Sequence, residues 1–207
     1  MPYDPGDEDQ DYEIEVVEEY MGDYGSIRSI VREALPFELM ATIGGVVSGL
    51  ILSGMTNELA LIPGLIVITP AVLGMRGNIS CTLGSRLGSA IHMGLITKID
   101  RNPELINNVA GSLLLGIIMA TILGMAGHLI TIALGLESAG MLRLTLIAVL
   151  AGLSSGIILS IVAVILAIGM FRFGFDPDNV VTPSIATIGD IVSMTMIFLA
   201  AKVVLMI

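Results

Sequence analysis

The sequence predicts an all-α polytopic membrane protein with five transmembrane helices per protomer. Three observations lead there. The chain of 207 residues is 55% hydrophobic, with a mean hydropathy of +0.93. Its charges are segregated: ten of the nineteen acidic residues fall between Asp4 and Asp23, and the nine that remain are matched by nine Lys and Arg. The net charge of −10 is therefore a property of the N-terminal stretch, whereas a soluble domain scatters its charges throughout. Five apolar stretches follow, each close to or beyond the ~20 residues a spanning helix needs.

Other classes are excluded by what is missing. The acidic N-terminus lacks the positive opening and apolar h-region of a secretory signal. Cys81 is the only cysteine, so no intrachain disulfide can form. His92 and His128 are too few and too isolated for a Cys/His zinc site. Trp is absent and Tyr is confined to the first 24 residues, so the usual aromatic belt is missing. Nothing points to a nucleic-acid partner.

Residues 1–25, acidic and containing Pro and Gly, read as a solvated, disordered cytoplasmic tail. Residues 26–35 start with an N-cap candidate, Ser26, and place Ile27, Ile30, Val31, Ala34 and Leu35 at helical spacing. They read as an amphipathic interfacial helix with Arg28 and Arg32 near lipid phosphates. Residues 36–207 form the transmembrane domain, and Pro36 starts or kinks its first segment, 37–55.

The second region, 59–97, is too long for one crossing: its straight helix would reach ~58 Å against a ~30 Å core. It contains Pro63, Gly64, Pro70, Gly74 and Gly77. A short dipping piece near 59–68, then a spanning helix starting near Pro70, is the expected arrangement. Broken backbone at membrane depth is tolerated only inside protein or against a water-filled cavity, so the break suggests a cavity. The last three segments are 105–134, 141–171 and 180–207.

Basic residues set the orientation. Arg28 and Arg32 precede the first segment, Lys98 and Arg101 follow the second, and Arg172 follows the fourth. With five crossings these lie on one side, which makes the N-terminus cytoplasmic and the C-terminus outside. Small residues recur four apart at Gly45/Gly49, Gly84/Gly88, Ser112/Gly116 and Gly152/Gly156, a spacing that lets helices approach closely in lipid.

Two stretches carry polar groups inside the membrane. One is 69–94, with Arg76, Asn78, Ser80, Thr82, Ser85 and Arg86; the other is 175–194, with Asp190. Asp190 has no basic residue within ten positions on either side. Counted from residue 180 it lies ~15 Å deep, where a charge costs about 2.5–3.5 kcal/mol or more. Either it pairs with Arg76 or Arg86, or it faces water and a cation. Arg86 belongs nearer the cytoplasmic face, while Asn78, eight residues after Pro70, fits the midplane. A carbonyl oxygen and a carboxylate at one depth suit a hard cation, and Mg²⁺, reluctant to shed water, needs only one or two carboxylates.

The residues around Asp190 agree. Pro183 has no amide proton, so the Asn179 carbonyl loses its helical partner. Thr182, Ser184 and Thr187 add oxygens, and Ala186 sits one turn before Asp190 with a spare carbonyl lone pair. Each hydroxyl alone more often bonds its own backbone. Asp176 and Asp178 precede this helix, where they either complement its dipole or form an acidic mouth that concentrates cations.

The blocks "PAVLGMRGNISCTLGSRL" and "DPDNVVTPSIATIGD" resemble the membrane domain of the MgtE magnesium transport family and, more closely, the related eukaryotic solute-carrier magnesium transporters. The resemblance covers roughly residues 35–205. It implies a homodimer of five-helix protomers with a cation pore on the twofold axis. Asp190 from both protomers would meet a hydrated Mg²⁺, helped by the Ala186 carbonyl, with Asn78 lining the pore. About 35 residues precede the first segment, too few for the cytoplasmic sensor domains of bacterial members, so gating by that route is not expected.

The expected function is passage of a divalent cation, Mg²⁺ first, across the cell membrane between paired Asp190 carboxylates. Asp190, Ala186, Asn78, Asp176 and Thr187 are the candidate metal residues, and the partners are a divalent ion, the bilayer and a second copy of the chain. A Na⁺- or H⁺-coupled Mg²⁺ exchanger is the alternative, and a non-transporting structural subunit is a lesser one. No second carboxylate, Ser/His pair or His cluster supports an enzyme.

Overall fold

The computed structural model describes residues 27–96, 102–172 and 177–207, and all regular structure among them is helical. The helices are α1 (Ile27–Gly54), α2 (Thr56–Leu61), α3 (Leu65–His92), α4 (Pro103–Ala133), α5 (Met141–Arg172) and α6 (Pro177–Leu205). The chain divides into two units, one up to Met40 and one over Ala41–Ile207. In the first, residues 27–40 are helical, with Ile27, Val31, Leu35 and Leu39 exposed. The tail expected over residues 1–25 lies outside the described residues.

Helix ends follow local chemistry. Asn102 caps α4 by accepting the Glu104 N–H at 2.8 Å, and Pro103 occupies the first helical position, where its missing N–H costs nothing. Between α4 and α5, His128 Nδ1 and Ser138 Oγ lie 2.8 Å apart, and the Gly140 N–H donates to that same Oγ.

The break in the second region falls at residues 62–64, not at Pro70. Gly64 takes the left-handed conformation, φ 92°, at the N-cap of α3, and Pro70 lies inside the helix on an exposed position. A residue with φ in that range is where the chain can turn sharply, and Gly alone does so without steric cost. Pro70, six residues into α3, removes one early helical bond without ending the helix. The break packs against protein on one side, with Pro63 and Gly64 half-buried. Ile62 and Leu65 are buried, the Ala139 N–H donates to the Pro63 carbonyl at 2.8 Å, and Gly64 faces Leu144 and the Thr131 hydroxyl.

Packing of α3 against α4, α5 and α6 fixes the topology of the second unit. One apolar core joins Leu65, Ile68 and Val72 of α3 to Ala120 of α4, Leu144–Ala151 of α5 and Met194–Val204 of α6. A second joins Leu83–Ile91 of α3 to Leu105 of α4, Ala163–Ile168 of α5 and Ile185 of α6. The start of α3 thus meets the start of α5 and the end of α6, so consecutive long helices alternate in direction. Glycines allow the close approach: a Cβ on Gly124 of α4 would meet the backbone of Thr145 on α5, and one on Gly127 would meet Ile68 of α3.

Among the described residues four helices are long and apolar enough to cross a membrane: Leu65–His92, Pro103–Ala133, Met141–Gly169 and Pro183–Leu205. Glu38–Gly54 is a shorter apolar helix. Outward-facing Leu114, Ile118, Ile122 and Leu129 make the exposed side of α4 apolar, a surface that lipid covers at no cost and water does not.

Candidate cation site

Between the two apolar cores lies a polar layer. On α3 it holds residues 76–80, bracketed by Val72 and Leu83; on α6 it holds Asp190, bracketed by Ile185 and Met194. Gly116 of α4 and Gly152, Ser155 and Gly156 of α5 occupy the same layer through their contacts with α3 or their own burial. Asp190 and Asn78 both fall between the residues that the two cores contribute from their helices.

Asp190 is half-buried, and its carboxylate forms no ion pair among the described residues. Cys81, on the adjoining α3, lies within Coulombic reach of it. Neither arginine caps the acid. Arg76 is only 2% exposed and seats its guanidinium on α4 and α5: a Cβ on Gly116 would fall against Nη1, and one on Gly156 against Nη2. Its Nε and Nη1 have no hydrogen-bond partner among the described residues. The two glycines make room for a long planar head that no larger residue would admit.

Arg86 is exposed and borders a cavity of about 320 Å³ with Asn78, Ile79 and Thr82 of α3 and Gly111, Ser112 and Leu115 of α4. Asn78 thus borders, toward α4, a space it shares with a guanidinium. The Thr82 hydroxyl donates to the Asn78 carbonyl at 2.8 Å.

On α6 the Thr187 hydroxyl donates to the Pro183 carbonyl at 3.0 Å. Its oxygen keeps lone pairs for an approaching ion or water. Ala186 and Thr187 are half-buried beside Asp190. Asp176 lies outside the described residues, and of Asp178 and Thr182 only the helical backbone is described.

Two residues that sequence reading passes over touch this stretch. Ser48 of α1 is buried, and its hydroxyl donates to the backbone carbonyl of Asp190 at 3.3 Å. Gly44, one turn earlier, is buried so closely that a Cβ there would lie 2.5 Å from Thr187 Cγ2. The four-residue pair expected to pack here, Gly45/Gly49, faces open space. The signal was present one residue earlier, as Gly44 followed four later by a small hydroxyl residue.

Among the described residues no group of three or more His, Cys, Asp or Glu could hold a dehydrated metal. A single carboxylate with carbonyl and hydroxyl neighbours suits an ion that keeps its water.

These features define a multi-pass α-helical membrane protein with one isolated carboxylate in its middle layer. Residues 69–200 match the MgtE family model, described as a divalent cation transporter, and the chain belongs to that family. It is 28% identical over 199 residues to the human solute carrier family 41 member 2, covering 92% of this chain and 34% of that protein. The Xenopus laevis counterpart is 29% identical over 180 residues, 83% of this chain and 31% of that protein. The rat solute carrier family 41 member 3 is 26% identical over 177 residues, 82% of this chain and 37% of that protein. The chain spans about a third of the length of these relatives.

Proposed function

We propose that this protein conducts Mg²⁺ across the cell membrane as a homodimer, with the ion passing largely hydrated between the Asp190 carboxylates of the two copies. The observation that carries this reading is Asp190 itself, in the middle layer, half-buried and without a basic partner among the described residues. One such charge inside a bilayer is costly. Two related by a twofold axis, with a divalent ion between them, neutralise one another. The Ala186 carbonyl and the Thr187 hydroxyl line the approach by contacting the ion's water shell, and Asn78 contributes its amide oxygen from α3. Asp176 and Asp178 gather cations at the cytoplasmic mouth.

In this reading α1 supplies the fifth crossing. Its apolar stretch is short, but Leu39, Ile43, Val46 and Leu50 are all exposed, as a lipid-facing stripe would be. Five crossings put the N-terminus in the cytoplasm and the C-terminus outside. No bond is made or broken, and the family description accords with transport.

The test is Mg²⁺ flux in proteoliposomes. Asp190→Ala abolishes it if the reading holds; full flux from that variant refutes it. Running the assay with and without Na⁺ and proton gradients separates a pore, which needs neither, from an exchanger.

A further inference from the structure

The contact between α1 and α6 assigns a role that rests on the reading above. Gly44 and Ser48 are four residues apart and share one face of α1. That face meets α6 at Thr187 and Asp190, three residues apart and likewise on one face. The first contact is steric: Gly44 admits the Thr187 methyl where any side chain would collide, and its Cβ would also lie 3.3 Å from the Thr187 carbonyl oxygen. The second is polar: the Ser48 hydroxyl donates to the Asp190 carbonyl.

Pro183 removes one backbone bond in the turn before it, and the contacts from α1 fall in the turns that follow. Thr187 turns its hydroxyl back to the Pro183 carbonyl, which leaves its methyl to face Gly44. The turn that carries Ala186, Thr187 and Asp190 is therefore held from outside α6, by α1.

We propose that Gly44 and Ser48 of α1 are positioning residues that set the placement of the Asp190 carboxylate for the passing cation. They touch neither the ion nor the carboxylate. They act through the Thr187 methyl and the Asp190 backbone, so their loss changes how well the site recognises Mg²⁺ before it changes whether the chain folds.

The experiment uses the full chain in proteoliposomes with Mg²⁺ as the probe, reading half-saturating concentration and maximal flux separately, and thermal stability in detergent beside them. Gly44→Ala is expected to raise the half-saturating Mg²⁺ concentration. Adding Thr187→Ser, which deletes the colliding methyl and keeps the hydroxyl, is expected to restore it. Ser48→Ala is expected to raise the same concentration about threefold to tenfold, the worth of one hydrogen bond, and Ser48→Thr to keep it near wild type. An unchanged half-saturating concentration in both Gly44→Ala and Ser48→Ala overturns the proposal, as does a double variant no better than Gly44→Ala. Asp190→Ala is run alongside: full flux there overturns the site reading itself, whereas abolished flux with unaffected α1 variants overturns the positioning role alone.

Discussion

The Ser48 hydroxyl reaches from α1 to the backbone carbonyl of Asp190, 3.3 Å away and 142 positions along the chain. The bond joins the first long helix to the last at the level of the isolated carboxylate. It ties the backbone that carries the carboxylate to a second helix, and the electrostatics of the layer then follow from what surrounds it.

Removing only the charge separates Coulombic attraction from packing. Asp190→Asn keeps the shape of the side chain, and it is expected to cut Mg²⁺ flux at least about tenfold, ~1.4 kcal/mol. Thermal stability without Mg²⁺ should hold or rise, since a costly buried charge is gone. A flux assay paired with a melting curve checks both.

Cys81 reports on the same site. It lies within Coulombic reach of Asp190, so a cation held there offsets that charge, favours the reactive thiolate and should speed its alkylation by a small maleimide. Mg²⁺ is expected to accelerate labelling of Cys81 in the wild type and not in Asp190→Asn. Mass spectrometry of the labelled chain reads the difference.

The cavity shared by Asn78 and Arg86 tests the ion route through α3. A guanidinium beside a cation path repels its cargo, so Arg86→Gln should raise Mg²⁺ flux about twofold to fivefold at low salt, with less gain at high salt. Asn78→Ala should lower flux about twofold to tenfold, less than Asp190→Asn, because only a neutral acceptor is lost. Initial-rate measurements at two ionic strengths decide it.

The seat of Arg76 makes a stability prediction. Gly156→Ala places a methyl group against the guanidinium and should destabilise the bundle by about 1–3 kcal/mol. Combined with Arg76→Met, the loss should be smaller than the sum of the two, since the methyl then meets a more compliant side chain. A double-mutant cycle on unfolding in detergent measures the coupling.

Much of this architecture is legible in the residues. Composition and run length mark the apolar helices, with ends near Pro103, Met141 and Pro177, because lipid demands continuous apolar stretches of known length. The break at Gly64 was misplaced to Pro70 because both residues interrupt helices, and only the backbone angle tells a turn from a tolerated proline. The Pro63–Ala139 bond at that break is a contact between distant segments that no local pattern encodes. Ser48 and Gly44 stayed hidden for the same reason: nothing in α1 announces which helix it will meet. The seat of Arg76 was half visible, since Ser112/Gly116 and Gly152/Gly156 were marked as small pairs, but not what they admit.

The central claim, that two Asp190 carboxylates share one hydrated divalent ion, is tested most directly by anomalous diffraction from crystals grown with Mn²⁺. The account predicts one Mn²⁺ peak on a twofold axis between two copies of α6, at the level of Asp190 and separated from the carboxylate oxygens by water. A metal bound elsewhere with none between the two α6 helices, or two α6 helices that never face one another, would contradict it.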